Sequence, residues 1–179
     1  MVIWITGLSG AGKTTFAVGL KTILRERSSQ IISLDGDQLR EILQSSDTEN
    51  YTRLKRLSLA KSYSALAKAL SEQGFIVIIS TISLFKEVHT WNRKNLTPYI
   101  EIFLNSPMET LRKRDQKGLY STSSKTNLIN VAGLDCKIDF PKNSEFMFTE
   151  FTQIDIKRVA KYIVNNSRGM LNEDNLGLH

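Results

Sequence analysis

The hydrophobic positions of this chain follow two patterns that alternate along its length. Short continuous apolar runs are typical of strands buried on both faces of a sheet, whereas apolar residues recurring every three or four positions form one face of a helix. The runs predict strands at 2–6, 31–34, 75–80, 99–104 and 146–148. The periodic segments predict helices at 13–27, 52–73, 86–96, 107–114 and 154–164. This alternation predicts an α/β fold with a mostly parallel five-stranded sheet flanked by helices.

One long segment shows neither pattern. Between 115 and 144 the chain is rich in Ser, Thr, Lys, Asn and Gly. Because a loop of this length inside a compact domain is usually functional, we expect a lid over about 115–143. The expected organisation is a single domain over 1–165, followed by a polar C-terminal tail over 166–179.

Composition limits the location and the partners. The apolar runs are far shorter than the ~20 residues of a membrane-spanning helix, and residues 1–6 lack the basic start of a secretory signal. The only cysteine is Cys136, so we expect no intrachain disulfide and a reducing, cytoplasmic location. The net charge of +6 favours anionic partners. Without a basic run or an aromatic-lined motif, however, we expect neither nucleic acid nor a membrane among them.

The strongest motif lies between the first predicted strand and the first predicted helix. Residues 7–14 read Gly-Leu-Ser-Gly-Ala-Gly-Lys-Thr and match the pattern G-x-x-x-x-G-K-[ST]. In such a loop backbone N–H groups surround phosphate oxygens at the positive end of a helix, the lysine reaches the β- and γ-phosphates and the hydroxyl binds Mg²⁺. The predicted ATP-binding residues are Gly7, Ser9, Gly10, Ala11, Gly12, Lys13, Thr14 and Thr15. The alternative is a glycine-rich turn without a ligand.

The rest of the chain narrows the class of phosphate-loop protein. It has no Asn-Lys-x-Asp guanine-binding motif, and 179 residues are too few for a large ATP-driven motor. A small kinase that uses ATP to phosphorylate a small molecule remains.

Two carboxylates follow the second predicted strand. Asp35 and Asp37 flank Gly36, and Arg40 follows three residues later. The carboxyl end of a strand beside a phosphate loop is where Mg²⁺ and an acceptor hydroxyl would meet. A polar turn in which Asp37 caps the next helix is the alternative interpretation.

Together these motifs resemble those of the adenylylsulfate kinase family, whose members phosphorylate the ribose 3′-hydroxyl of adenosine 5′-phosphosulfate. The shared pieces are the phosphate loop, Leu-Asp-Gly-Asp at 34–37, Ser-Thr-Ile-Ser at 80–83, Arg-Asp-Gln-Lys-Gly-Leu-Tyr at 114–120 and Gly-Leu-Asp at 133–135. The resemblance covers most of residues 1–165. It implies a P-loop NTPase-type fold, ATP and Mg²⁺ as cofactors, a nucleotide as acceptor and a homodimer.

The resemblance also implies roles for individual residues. It places Asp35 and Asp37 at the reacting centre, one holding Mg²⁺ and the other accepting the hydroxyl proton. Which carboxylate does which stays open, although we favour Asp37 as the base and Asp35, with Thr14, as the metal ligand. Arg114 would lie over the ATP adenine, and Lys117 would bring a positive charge to the transferring phosphoryl group. The residues expected to contact the acceptor are Arg40, Arg53, Ser83, Phe85, Lys117, Gly118 and Leu119.

Two aromatic residues and a histidine are weighed between a functional role and a structural one. Phe85 is a candidate to stack on the acceptor base, but core packing is an equal alternative. For His89 we expect a packing role rather than catalysis, and for Trp4 a place in the core.

The acceptor side departs from the family pattern more than the ATP side does. Family members carry Phe-Ile-Ser-Pro after the third strand, where residues 81–85 read Thr-Ile-Ser-Leu-Phe. Ser121 and Thr122 replace an expected basic pair, and Val131 replaces an aromatic residue. An alternative acceptor is therefore another 5′-substituted nucleotide, such as cytidine diphosphoramidate in surface-polysaccharide biosynthesis. A further alternative is an inactive, nucleotide-dependent regulatory protein.

Overall fold

Five parallel strands form one sheet in the order β2-β3-β1-β4-β5. The computed structural model describes residues 1–43, 52–114 and 137–167. The strands are β1 (Val2–Gly7), β2 (Ile31–Asp35), β3 (Ile76–Thr81), β4 (Tyr99–Leu104) and β5 (Phe146–Phe148). The helices are α1 (Lys13–Arg25), α2 (Gly36–Ile42), α3 (Arg53–Glu72), α4 (Lys86–Asn95), α5 (Met108–Arg114) and α6 (Gln153–Asn166). The predicted α/β fold with a parallel five-stranded sheet is confirmed.

Side chains that alternate along the central strand fill two separate cores. Ile3 and Ile5 of β1 face one layer, where α1 and α6 pack together. Val2 and Trp4 face the other layer, beneath α3 and α4. Since successive residues of a strand point to opposite faces, a strand covered on both sides must be apolar throughout. This is why the strands appear in the sequence as unbroken apolar runs, and Trp4 lies in the core as expected.

The ends of several elements differ from the predicted ones by one or two residues. The last helix is longer than predicted, because Thr152 and Asp155 form a capping box at its start and it continues to Asn166. Ser167 is buried, and its N–H donates to the carbonyl of Val164. Ser167 is thus packed against the end of α6, and the single domain over 1–165 stays a prediction.

Some predicted features lie outside the described residues. These are Lys117, Gly118, Leu119, the lid except for residues 137–143, and the tail from residue 168. Within the described segments, no helix is both long enough and apolar enough to cross a membrane.

An arginine on α4 joins the sheet to the segment that precedes β5. The Arg93 guanidinium donates to both carboxylate oxygens of Glu145, at 2.6 and 3.2 Å, and to the carbonyl of Asn143 at 2.8 Å. Glu145 also accepts the backbone N–H of Glu101 in β4 at 2.7 Å. Burial by itself raises the pKa of Glu145, but the hydrogen bonds from Arg93 and the backbone outweigh it, so that this pKa lies below its ordinary value of 4.5.

We predict that Thr152→Ala lowers the free energy of unfolding by about 1 kcal/mol, because it removes the side-chain cap of α6. Urea unfolding followed by circular dichroism measures this change. The matched control is Thr149→Ala at an exposed position three residues earlier. Equal losses in both variants would contradict a capping role for Thr152.

The lowered pKa of Glu145 predicts a pH-dependent contribution to stability. A carboxyl group whose pKa is lower in the folded state stabilises the fold above its unfolded pKa and loses this effect as the pH falls through the folded pKa. The stability difference between wild type and Glu145→Gln should therefore be constant near neutral pH and shrink below about pH 4.5. Urea midpoints at a series of pH values measure it. The control is Glu150→Gln, the same substitution at an exposed site.

Candidate nucleotide site

The loop between β1 and α1 has the backbone that a phosphate-binding loop requires. Gly12, the residue before α1, has a φ of 91°, in the left-handed region that glycine adopts without strain. A Cβ there would also lie 2.9 Å from the ring of Phe151, which packs edge-on against Phe16. Lys13 extends back along the loop, and its Nζ donates to the carbonyl of Leu8 at 2.8 Å. The loop and the positive end of α1 thus form an anion site.

Asp35 connects this loop to the ends of two strands. Its Oδ2 accepts hydrogen bonds from the hydroxyl of Thr14 at 2.8 Å and from the hydroxyl of Ser80, at the end of β3, at 2.9 Å. The Thr14 hydroxyl and the Asp35 carboxylate are oxygen donors of the kind that Mg²⁺ binds, with phosphates and water supplying its other ligands. The described residues contain no cluster of three His, Cys, Asp or Glu side chains, so a site formed by protein ligands alone is not found there.

The two carboxylates after β2 have different surroundings. Asp35 is the N-cap of α2: its Oδ1 accepts the N–H of Asp37 at 2.9 Å, and Gln38 completes a capping box. The alternative in which Asp37 caps this helix is therefore wrong, because the helix already begins at Gly36. Asp37 lies in the first turn with its side chain 51% exposed and forms an ion pair with Arg40. Asp35 is the connecting group, and Asp37 faces outward next to it.

Gly36 allows α2 to begin directly against the end of β3. A Cβ at this position would lie 3.1 Å from the Thr81 hydroxyl and 3.3 Å from the Ser80 carbonyl. The carbonyl of Gly36 accepts a hydrogen bond from Tyr63 on α3 at 3.4 Å. The close approach of the two backbones brings Asp35 within reach of Ser80.

The loop after β3 carries two residues that are predicted to contact the acceptor, Ser83 and Phe85. Ser83 is buried, has a φ of 24°, and its hydroxyl lies 3.0 Å from that of Thr81. Phe85 is buried in the core beneath α3 and α4, and the Arg53 guanidinium lies over its ring at 5.3 Å. This burial supports the packing alternative for Phe85, and stacking on the acceptor base stays a prediction. His89 forms hydrogen bonds with Glu101 and with the carbonyl of Asp139.

The structure brings most of the predicted residues of the ATP side together. Arg114, at the end of α5, donates to the carbonyl of Gly10 at 3.3 Å and so lies against the loop. Arg53 lies away from the loop, paired with Asp139 at 3.1 Å. Sequence reasoning assigned no individual role to Ser80 or Asp139. Ser80 could have been found from the sequence, because it is a polar residue at the end of an apolar strand. No sequence signal marks Asp139, which lies 86 positions from Arg53.

Comparison with known proteins gives consistent results. The sequence model of the adenylylsulphate kinase family matches residues 1–149. Cytidine diphosphoramidate kinase of Campylobacter jejuni is 43% identical over 141 residues, which cover 79% of this chain and 81% of that protein. Adenylyl-sulfate kinase of Pseudomonas aeruginosa is 33% identical over 174 residues, which cover 92% of this chain and 86% of that protein.

A solved structure shows the same architecture. The structure of the Mycobacterium tuberculosis APS kinase CysC in complex with AMPPNP and APS superimposes with a TM-score of 0.79 at 26% identity, covering 94% of this chain and 97% of that one. The predicted P-loop NTPase-type fold is therefore confirmed. From the family match, these relatives and the phosphate loop joined to Asp35, we conclude that this chain belongs to the adenylylsulphate kinase family and is a kinase that transfers a phosphoryl group to a hydroxyl group.

Proposed function

We propose that this kinase transfers the γ-phosphoryl group of Mg²⁺-bound ATP to the ribose 3′-hydroxyl of a 5′-substituted nucleotide, with cytidine diphosphoramidate as the preferred acceptor. The observation that carries the proposal is the joint at Asp35, whose Oδ2 bonds both the phosphate-loop hydroxyl of Thr14 and the strand-end hydroxyl of Ser80. This joint supports a phosphoryl transfer at the end of β3, next to the phosphate loop.

Each residue near this joint has a role in the proposed reaction. Lys13 and the N-terminus of α1 bind the phosphates. When bound by Thr14 and Asp35, Mg²⁺ would neutralise charge on the phosphates. Asp37, oriented by its ion pair with Arg40, accepts the proton of the acceptor hydroxyl. Catalysis by such a site consists of positioning and charge neutralisation, without a covalent intermediate.

The choice of acceptor has two supports. Identity is higher to the cytidine diphosphoramidate kinase, at 43%, than to the adenylyl-sulfate kinase of P. aeruginosa, at 33%. In addition, residues 81–85 and 121–122 depart from the adenylylsulfate kinase pattern on the acceptor side. Adenylyl sulfate is the second candidate, because the family match favours it.

Three further points concern an inactive protein, the oligomeric state and the cellular location. An inactive regulatory protein is disfavoured, since Lys13, Thr14, Asp35 and Asp37 are all present. The family resemblance further supports a homodimer, for which light scattering on the purified chain is the test. The cysteine content supports the cytoplasm.

We predict that Lys13→Ala lowers kcat by at least about 100-fold, because it removes a charged donor from the transferring phosphates. ADP release in a coupled assay measures this loss. The control Lys157→Ala, at an exposed site on α6, should keep wild-type turnover. Circular dichroism should show the same fold in both variants. Persistent turnover in Lys13→Ala would contradict the assignment.

We predict that kcat/KM for cytidine diphosphoramidate exceeds that for adenylyl sulfate by about tenfold, a difference of ~1.4 kcal/mol in transition-state binding. The assay follows ADP release with Mg²⁺-ATP and each acceptor, with ATP alone as the control for hydrolysis. Phosphorus NMR of the product should show a new phosphomonoester on the ribose. The reverse order would favour adenylyl sulfate, and turnover of neither acceptor would overturn the proposed function.

A further inference from the structure

Asp139 joins the first residues of two helices on the acceptor side. Its Oδ2 accepts a hydrogen bond from Nη2 of Arg53, at the start of α3, at 3.1 Å, and from the backbone N–H of Lys86, at the start of α4, at 3.4 Å. The same Nη2 lies 3.6 Å from Glu87. Of the two carboxylates near Arg53, that of Asp139 is the nearer one, and the same oxygen also bonds the backbone at the start of α4.

Asp139 is itself held by its backbone. Its N–H donates to the carbonyl of Leu84 at 2.9 Å, and its own carbonyl lies 3.2 Å from Nε2 of His89. Nδ1 of His89 lies 2.7 Å from a carboxylate oxygen of Glu101, which is only 2% exposed and also accepts the hydroxyl of Tyr99. Through His89, the buried carboxylate of Glu101 on β4 thus helps to hold the backbone of Asp139 in place.

The Arg53–Asp139 pair contributes little to fold stability. The two side chains are 33% and 28% exposed, and ion pairs with this much solvent contact are weak. Nε of Arg53 is nevertheless buried and has no hydrogen-bond partner among the described residues. Arg53 and Asp139 border a cleft of about 770 Å³ that Lys86 and Lys137 also line. Lys94 and the carboxylate of Glu87 line it too, so four basic side chains face two acidic ones, an excess of positive charge that suits an anionic ligand.

From these contacts we infer that Asp139 is a positioning residue of the acceptor site: it holds the Arg53 guanidinium beside Phe85, so that Arg53 binds the anionic 5′-substituent of the acceptor. The inference rests on the proposed function and deepens it. Asp139 touches no reacting atom and acts through Arg53. It therefore affects acceptor binding and leaves ATP binding unchanged.

The test is a double-mutant cycle of Arg53→Ala and Asp139→Asn, with kcat and the KM of each substrate measured for all four proteins. Asp139→Asn should raise the acceptor KM about tenfold and leave the ATP KM unchanged. In the Arg53→Ala background the same substitution should change the acceptor KM by less than about twofold, because its effect passes through Arg53.

The matched control is Glu87→Gln, which removes the other carboxylate near Arg53 but not the backbone-anchored one. Its acceptor KM should stay within about twofold of wild type. Thermal unfolding of Asp139→Asn should match that of wild type.

Three results would overturn the inference: additive effects of Arg53→Ala and Asp139→Asn, an equal rise in the ATP KM, or the same tenfold rise in Glu87→Gln. If the wild-type enzyme turns over its acceptor and the two substitutions are additive, only the role of Asp139 is refuted. Wild-type protein that phosphorylates neither acceptor refutes the proposed function, and the inference falls with it.

Discussion

The hydrogen bonds that Asp35 accepts join the separate parts of the site. Oδ2 receives the hydroxyls of Thr14 and Ser80, and Oδ1 receives the N–H of Asp37. One carboxylate therefore connects the phosphate loop, the end of β3 and the start of α2. This is possible because β2, β3 and β1 are adjacent and parallel, so their carboxyl ends meet at one edge of the sheet. The same side chain caps a helix and offers oxygen atoms to a hard cation.

The two sides of the site are built differently. On the ATP side, Gly12, Lys13 and Thr14 are consecutive, and local backbone conformation sets their geometry. Arg53, which is predicted to contact the acceptor, is bonded by Asp139, a residue far away in the chain. A local motif preserves its geometry as long as its own residues are kept. A long-range arrangement depends on both partners and on the residues that support them.

The sequence predicted the elements best where one physical signal dominated. The strands β4 and β5 lie at the predicted residues, since a continuous apolar run bounded by polar residues has few other interpretations. The end of α6 was less predictable, because Ser167 is polar and yet buried. Packing against the rest of the fold determines this burial. For the helix after β2, Asp37 is the cap that the sequence suggests as an alternative, whereas Asp35 is the cap in the structure. Asp35 and Asp37 are both good caps by residue type, and only the backbone bond to Asp35 decides between them.

The amino-acid sequence by itself determined the fold class, the phosphate loop at 7–14 and the pair of carboxylates at 35 and 37. Each of these depends on periodicity or on spacing within a few residues, which local backbone geometry fixes. Only the tertiary structure decided that Ser80 bonds Asp35, that Phe85 is buried in the core and that Asp139 holds Arg53. Those contacts join residues 45 and 86 positions apart. Strand order and helix packing bring such residues together, and neither leaves a mark in the local pattern of the chain.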